Sequence, residues 1–187
     1  MASERKPKLL GNPSQPLPPA ESEEQLSQIA QQLLAANPKN ITIVPNQGRM
    51  TLARITDVHD GDTIQVLVML GGVIIKLSVR VRGIDAPEIT KRGTTTQQEV
   101  EVSKKIRDYV EKLLSSNPLC YIVLECKDVY CGRYVGDIFL PSGERLSEHL
   151  LQIGCVKPYA GNKKDPWTCE ELSQIDFRMN HVLATLA

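Results

Sequence analysis

Three short segments of this 187-residue chain concentrate acidic and basic side chains at spacings that can do chemistry. The first is His59-Asp60-Gly61-Asp62-Thr63. Two carboxylates around a glycine offer hard oxygen donors, which Ca2+ and Mg2+ prefer. The same D-G-D is also an ordinary turn whose aspartates bond nearby backbone. The second is Arg80-Val81-Arg82-Gly83-Ile84-Asp85-Ala86-Pro87-Glu88. It ends a strand-like run, turns at a glycine and presents Asp85 and Glu88 around a rigid Ala-Pro. Clustered carboxylates repel one another unless a cation or an arginine sits among them. A site of Asp62, Asp85, Glu88 and Arg80 would meet that condition; a surface loop with ordinary ion pairs of little energetic value is the plainer alternative. The third segment is Tyr130-Cys131-Gly132-Arg133. Its glycine permits a sharp approach to the next strand, and its guanidinium offers a planar fork that matches phosphate oxygens.

The elements that must position these residues are legible in the hydrophobic pattern. From Ile41 the period changes from helical to alternating, with strand-like runs at 41–45, 51–58, 63–70 and 73–82. Gly71-Gly72 reads as a tight turn between the last two. In the run 73–82, Val73, Ile75, Leu77, Val79 and Val81 share one face, while Ile74, Lys76, Ser78, Arg80 and Arg82 share the other. A helix over 97–115 carries the stripe Val102, Ile106, Tyr109, Val110 and Leu113. Strands follow near 119–126 and 133–140. A short helix at 144–153 ends on Gly154 as its C′ glycine, and a last helix covers 168–185. Strands in a sheet with helices packed on it make an α+β domain. A five-stranded OB-like β-barrel with about three packed helices closes such short strands economically.

Ahead of this domain, placed at 41–187, residues 1–20 are proline-rich and polar and read as a disordered tail. Residues 21–40 form an N-terminal helical extension. Ser22 and Gln25 make a capping-box pattern there, and Leu26, Ile29, Ala30, Leu33 and Leu34 recur at helical spacing. Such a helix either packs on the domain or docks on a protein partner.

Aromatics are only 4% of the chain, so the core must be aliphatic, which suits strands. The formal net charge is +0, so no nucleic-acid argument can start from bulk basicity and any must be local. The five cysteines are an odd number without a C-x-x-C pair and no Cys/His spacing resembles a zinc site, so reduced thiols are the simplest reading. No secretory signal and no apolar run of about 20 residues occurs, so an intracellular, cytoplasmic protein without a membrane role is expected.

Taken in order, D-G-D-T, R-V-R-G-I-D-A-P-E and Y-C-G-R resemble the staphylococcal nuclease (thermonuclease-like) family. The resemblance runs from about Ile55 to about Gly161. It includes Gly143-Glu144-Arg145-Leu146-Ser147-Glu148 and Ile153-Gly154-Cys155-Val156-Lys157-Pro158-Tyr159. It departs at Cys131, where the family often has tyrosine, with Tyr130 displaced by one and a small insertion implied near Asp128.

The resemblance implies a role for each matched residue. Asp62 and Asp85 match the family's calcium carboxylates, and Ala86 falls where a backbone carbonyl is a ligand. Asp60 matches an acidic residue near the metal that does not bind it directly. Arg80 and Arg133 match the arginines that grip the scissile phosphate, and Glu88 the carboxylate assigned as general base. The implied activity is Ca2+-dependent hydrolysis of DNA or RNA, with Mg2+ a candidate substitute and 3′-phosphate products. Lys91, Arg92, Lys157, Lys163 and Lys164 offer a basic rim for substrate, and Tyr159 or Trp167 a stacking surface. The alternative is a barrel of the same kind that binds nucleic acid or protein without catalysis.

Overall fold

The alternation closes into a barrel. The computed structural model describes residues 48, 50–70, 73–115, 119–127, 133–161 and 164–185. Its strands are β1 (Met50–Asp60), β2 (Thr63–Leu70), β3 (Val73–Val81), β4 (Ile84–Asp85), β5 (Leu119–Lys127), β6 (Tyr134–Phe139) and β7 (Lys157–Pro158). Its helices are α1 (Gln97–Ser115), α2 (Leu146–Ile153) and α3 (Cys169–Thr185). Five strands join in the order β1-β2-β3-β6-β5 and close back onto β1, while β4 and β7 pair separately. Every barrel neighbour is antiparallel except β3 with β6. That parallel pairing is available because α1 and β5 intervene as a long crossover.

The inward face is aliphatic, as the composition requires. Ile64, Val66 and Val68 of β2, Leu77, Val79 and Val81 of β3, Ile122 and Leu124 of β5, and Ile138 of β6 are all buried. Each such side chain contributes about 1.5–3 kcal/mol relative to exposure. Gly136 has a steric purpose. A Cβ there would strike the Val123 carbonyl across the ladder, beside the register shift between Leu124 and Cys126.

Helix α1 packs on β1 and α2 on β6, while α3 packs on α1. Val102, Ile106, Tyr109 and Val110 of α1 are buried, as are Leu172, Ile175 and Met179 of α3. Lys105 Nζ fastens the two helices, donating to Asp176 Oδ1 at 2.7 Å and Asn180 Oδ1 at 2.7 Å. The start of α2 is tied to the barrel by buried Asp137, whose carboxyl accepts from the Ile138 N–H, the Ser147 N–H and the Ser147 hydroxyl. Burial pushes the Asp137 carboxyl above the usual carboxylate range despite these bonds. The helix ends at Gly154, whose φ of 72° lets its N–H reach the Leu150 and Leu151 carbonyls.

The fold matches the expected architecture with small shifts. The strand expected at 133–140 is β6 over Tyr134–Phe139, and the helix expected at 144–153 begins at Leu146. The two-residue β4 and β7 were not anticipated, because a pair of residues carries no period. The proline-rich tail, the 21–40 helix, the 41–45 strand, the Gly71-Gly72 turn and the 128–132 segment lie outside the described residues. No described helix is long and apolar enough to cross a membrane.

Asp137→Ala removes the acceptor of three donors, two of them on Ser147 at the start of α2 and one the Ile138 N–H of β6. It should lower stability by about 1–3 kcal/mol with the barrel intact, read as the urea midpoint with the slope unchanged. An unaltered midpoint would show that the tie contributes nothing.

Candidate active site

The site begins where β1 turns into β2. Asp60 pairs with Thr63 across the turn, and Asp60 Oδ1 accepts the Asp62 N–H at 3.1 Å. The glycine between them is fixed by packing. A Cβ on Gly61 would lie 2.7 Å from Ile106 Cγ2 and 2.9 Å from Ala86 Cβ. Helix α1 and the Ala86 segment therefore press directly on the turn and bury Asp62, which is 3% exposed.

The Asp62 carboxylate is well bonded yet costly to bury. Oδ1 accepts from Thr63 Oγ1 at 2.9 Å and Arg80 Nη1 at 2.9 Å, and Oδ2 accepts from the Ala86 N–H at 3.2 Å. Burial still dominates over Arg80, and the nearby Asp60 charge adds to it, so the carboxyl is pushed up to about 6.

Strand β3 brings Arg80 opposite Thr63 in the ladder with β2. Gly83, at φ 76°, then turns the chain into β4. There Asp85 is buried, with Oδ1 3.3 Å from Arg80 Nη2. One guanidinium thus bridges Asp62 and Asp85. Burial opposes its charge, but Asp62 and Asp85, helped by Asp60 and Glu88, together outweigh that and hold its pKa above the ordinary value. The β4–β7 ladder, extended by the Tyr159 N–H donating to the Gly83 carbonyl at 2.9 Å, fixes Asp85 and brings up Tyr159. The Arg80 guanidinium lies 5.7 Å from the Tyr159 ring centroid.

Glu88 is held from two sides. Its N–H donates to Glu99 Oε1 at 3.0 Å, and its own Oε1 accepts from Lys164 Nζ at 2.7 Å. The same ammonium lies 2.7 Å from Asp85 Oδ1. Glu99 had not been anticipated, although Thr96-x-x-Glu99 is a capping-box signal. The Glu99 N–H does donate to Thr96 Oγ1, at 3.1 Å. The Glu99 carboxylate, however, reaches the N–H of Glu88 instead of completing the box. Lys164 had been placed only in a general basic rim.

Asp60, Asp62, Arg80, Ala86, Glu88, Arg133, Tyr159 and Lys164 all border one open cleft of about 870 Å³. Arg133 enters it from the start of β6, with Nη1 3.5 Å from Thr63 Oγ1. Asp85 lies behind Arg80, outside the lining. Lys91 and Arg92 are exposed and do not border the cleft. Lys157 is engaged elsewhere, 2.8 Å from Glu171 Oε1 and 4.3 Å from the Trp167 ring centroid. Tyr130, Cys131 and Gly132 lie outside the described residues.

The donor set suits a hard divalent cation in kind. It offers the Asp62 and Asp85 carboxylates and the Ala86 carbonyl, and a cation would relieve the buried charge of Asp62. Among the described residues no three His, Cys, Asp or Glu side chains form a ready cage. An ammonium already sits on Asp85.

A closed five-stranded barrel with helices packed on it, opening into a cleft of paired carboxylates and arginines, defines an OB-like barrel of the nuclease type. The family model described as staphylococcal nuclease homologue matches residues 78–178, and the chain belongs to that family. The matched stretch runs from β3 into α3 and contains Arg80, Asp85, Glu88 and Arg133; Asp60 and Asp62 join them through the barrel. A comparison with curated proteins finds no match.

Gly61→Ala should cost about 1–3 kcal/mol by overpacking, measured by denaturant unfolding. The cost should shrink when Ile106→Ala removes the nearer clash, giving a non-zero coupling in a double-mutant cycle. Strict additivity would show that α1 does not set the position of the turn.

Proposed function

We propose that this domain hydrolyses phosphodiester bonds in DNA, RNA or both by attack of water, with Ca2+ as cofactor and 3′-phosphate products. The observation that carries this reading is the meeting of Arg80, Arg133 and Glu88 on one cleft, with buried Asp62 in the same lining and buried Asp85 against Arg80. A phosphodiester is anionic, and its transition state gathers charge on the phosphoryl oxygens. Groups aimed at those oxygens give electrostatic stabilisation.

Arg80 and Arg133 bind and orient the phosphate from two neighbouring strands, β3 and the start of β6. Asp62 and Asp85 hold Arg80 in place through a fork of 2.9 and 3.3 Å. Glu88, half-exposed at the cleft, takes the proton from the attacking water; its backbone is fixed by Glu99. The protein's ligands for the cation would be Asp62, Asp85 and the Ala86 carbonyl. Such an ion would supply positive charge to offset the negative charge gathering on the phosphoryl oxygens.

The charge balance of the cleft supports a cation. Its lining holds Asp60, Asp62, Glu88 and Glu125 against Arg80, Arg82, Arg133 and Lys164. Four acids and four bases leave no excess positive charge for an anionic substrate, and Asp85 lies just behind. A divalent ion would tip the balance toward phosphate.

The test is cleavage of fluorescent single- and double-stranded DNA and of RNA in Ca2+, Mg2+ and EDTA. Cleavage should require Ca2+ and stop in EDTA. Glu88→Gln should slow it about 10²–10⁴-fold. Arg80→Ala and Arg133→Ala should each slow it about 10²–10³-fold. Arg133→Ala should keep the fold by circular dichroism, while Arg80→Ala should also lower the unfolding midpoint because it leaves Asp62 and Asp85 without their shared cation. Binding of the strands without cleavage in any buffer would replace this reading with that of a binding module.

A further inference from the structure

The ammonium of Lys164 lies 2.7 Å from Asp85 Oδ1 and 2.7 Å from Glu88 Oε1. It thereby joins the carboxylate expected to face the cation with the one expected to face the water. The two partners differ in setting, since the Asp85 side chain is 5% exposed and that of Glu88 51%. Lys164 itself follows β7 in the segment leading to α3, and its side chain is 38% exposed. Its flexible stem can leave the carboxylates for solvent without moving a strand.

We propose that Lys164 is a positioning residue that acts as an internal counter-cation, holding Asp85 and Glu88 together in the cation-free protein and competing with the divalent ion for them. The inference rests on the function proposed above and adds a device to it. Asp85 stands beside Asp62 with only Arg80 between them, so a second positive charge near Glu88 reduces the repulsion among the three carboxylates. A divalent ion on Asp85 would add a third positive charge beside the oxygen that Arg80 and Lys164 already share, and Lys164, on its flexible and part-exposed stem, is the one free to leave. Departure of Lys164 frees Glu88 Oε1 as well. Binding of the ion and release of the general base are then one event.

The test is cation affinity, measured on the full chain apart from any cleavage. Ca2+ is titrated by calorimetry and Tb3+ by its luminescence, on the parent, Lys164→Gln and Lys164→Arg. The glutamine variant should bind both ions roughly 10-fold more tightly, within the 5–150-fold span of ordinary couplings. Its calcium-induced rise in Tm should also exceed the parent's. The arginine variant keeps the charge and should stay near the parent. Equal or weaker affinity in Lys164→Gln, with the parent binding normally, overturns the competition and leaves the proposed function standing. Absence of cation binding in both proteins overturns the cation-dependent reading and this inference together.

Discussion

The mouth of the barrel depends on one guanidinium shared between two buried carboxylates. Arg80 reaches Asp62 at 2.9 Å and Asp85 at 3.3 Å. Without it, two like charges would face each other in a poorly solvated place, and removing one member of such a set costs far more than a surface ion pair. The surrounding structure serves this arrangement. The β2–β3 register sets Arg80 against the start of β2, and Gly83 turns the chain so that Asp85 returns to the same guanidinium. The short β4–β7 ladder stops that return from drifting. The packing of Ile106 on Gly61 presses Asp62 inward from the other side.

The arrangement accounts for a chain with no net charge in a family named for a nuclease. Basic residues need not dominate the surface when positive charge is delivered locally by side chains that carboxylates orient. Arg80 is fixed by Asp62 and Asp85, Arg82 is paired with Glu125 at 2.6 Å, and Lys164 bridges Asp85 and Glu88. Acid here positions base. The cleft is balanced in charge.

Much of this was legible because it follows the two regular periods. The alternation in 73–82 placed Val79 and Val81 inside and Arg80 on the opposite face, and the helical stripe placed Val102 and Ile106 against the barrel. The order of the D-G-D, R-V-R-G-I-D-A-P-E and Y-C-G-R segments named the family, and the barrel brings Asp62, Arg80, Glu88 and Arg133 to one cleft. The rest depended on long-range contacts that no local pattern encodes. Lys164 is one lysine among several in its segment until the fold sets it on Asp85 and Glu88. Glu99 gave a signal, Thr96-x-x-Glu99, but that signal points to its own helix, and only the tertiary structure turns its carboxylate to Glu88. Lys157 shows the reverse: a plausible substrate lysine by type, it is occupied by Glu171 and Trp167.

Asp62 is where stability alone explains the ion-pair network least well. A fold that needed only stability could place a neutral or apolar side chain at this position, because a buried ion pair is often no better than a well-packed replacement. Asp62 keeps its charge in a place where burial outweighs its three hydrogen-bond partners and pushes the carboxyl up to about 6. The turn that carries it tolerates no Cβ at Gly61, so the position has been packed tightly around the carboxylate. Local choices that oppose stability and are nevertheless held rigidly are where function is expected. On that argument the buried acid is the costliest part of the site and the part most in need of a positive partner. Arg80 supplies that partner, 2.9 Å away.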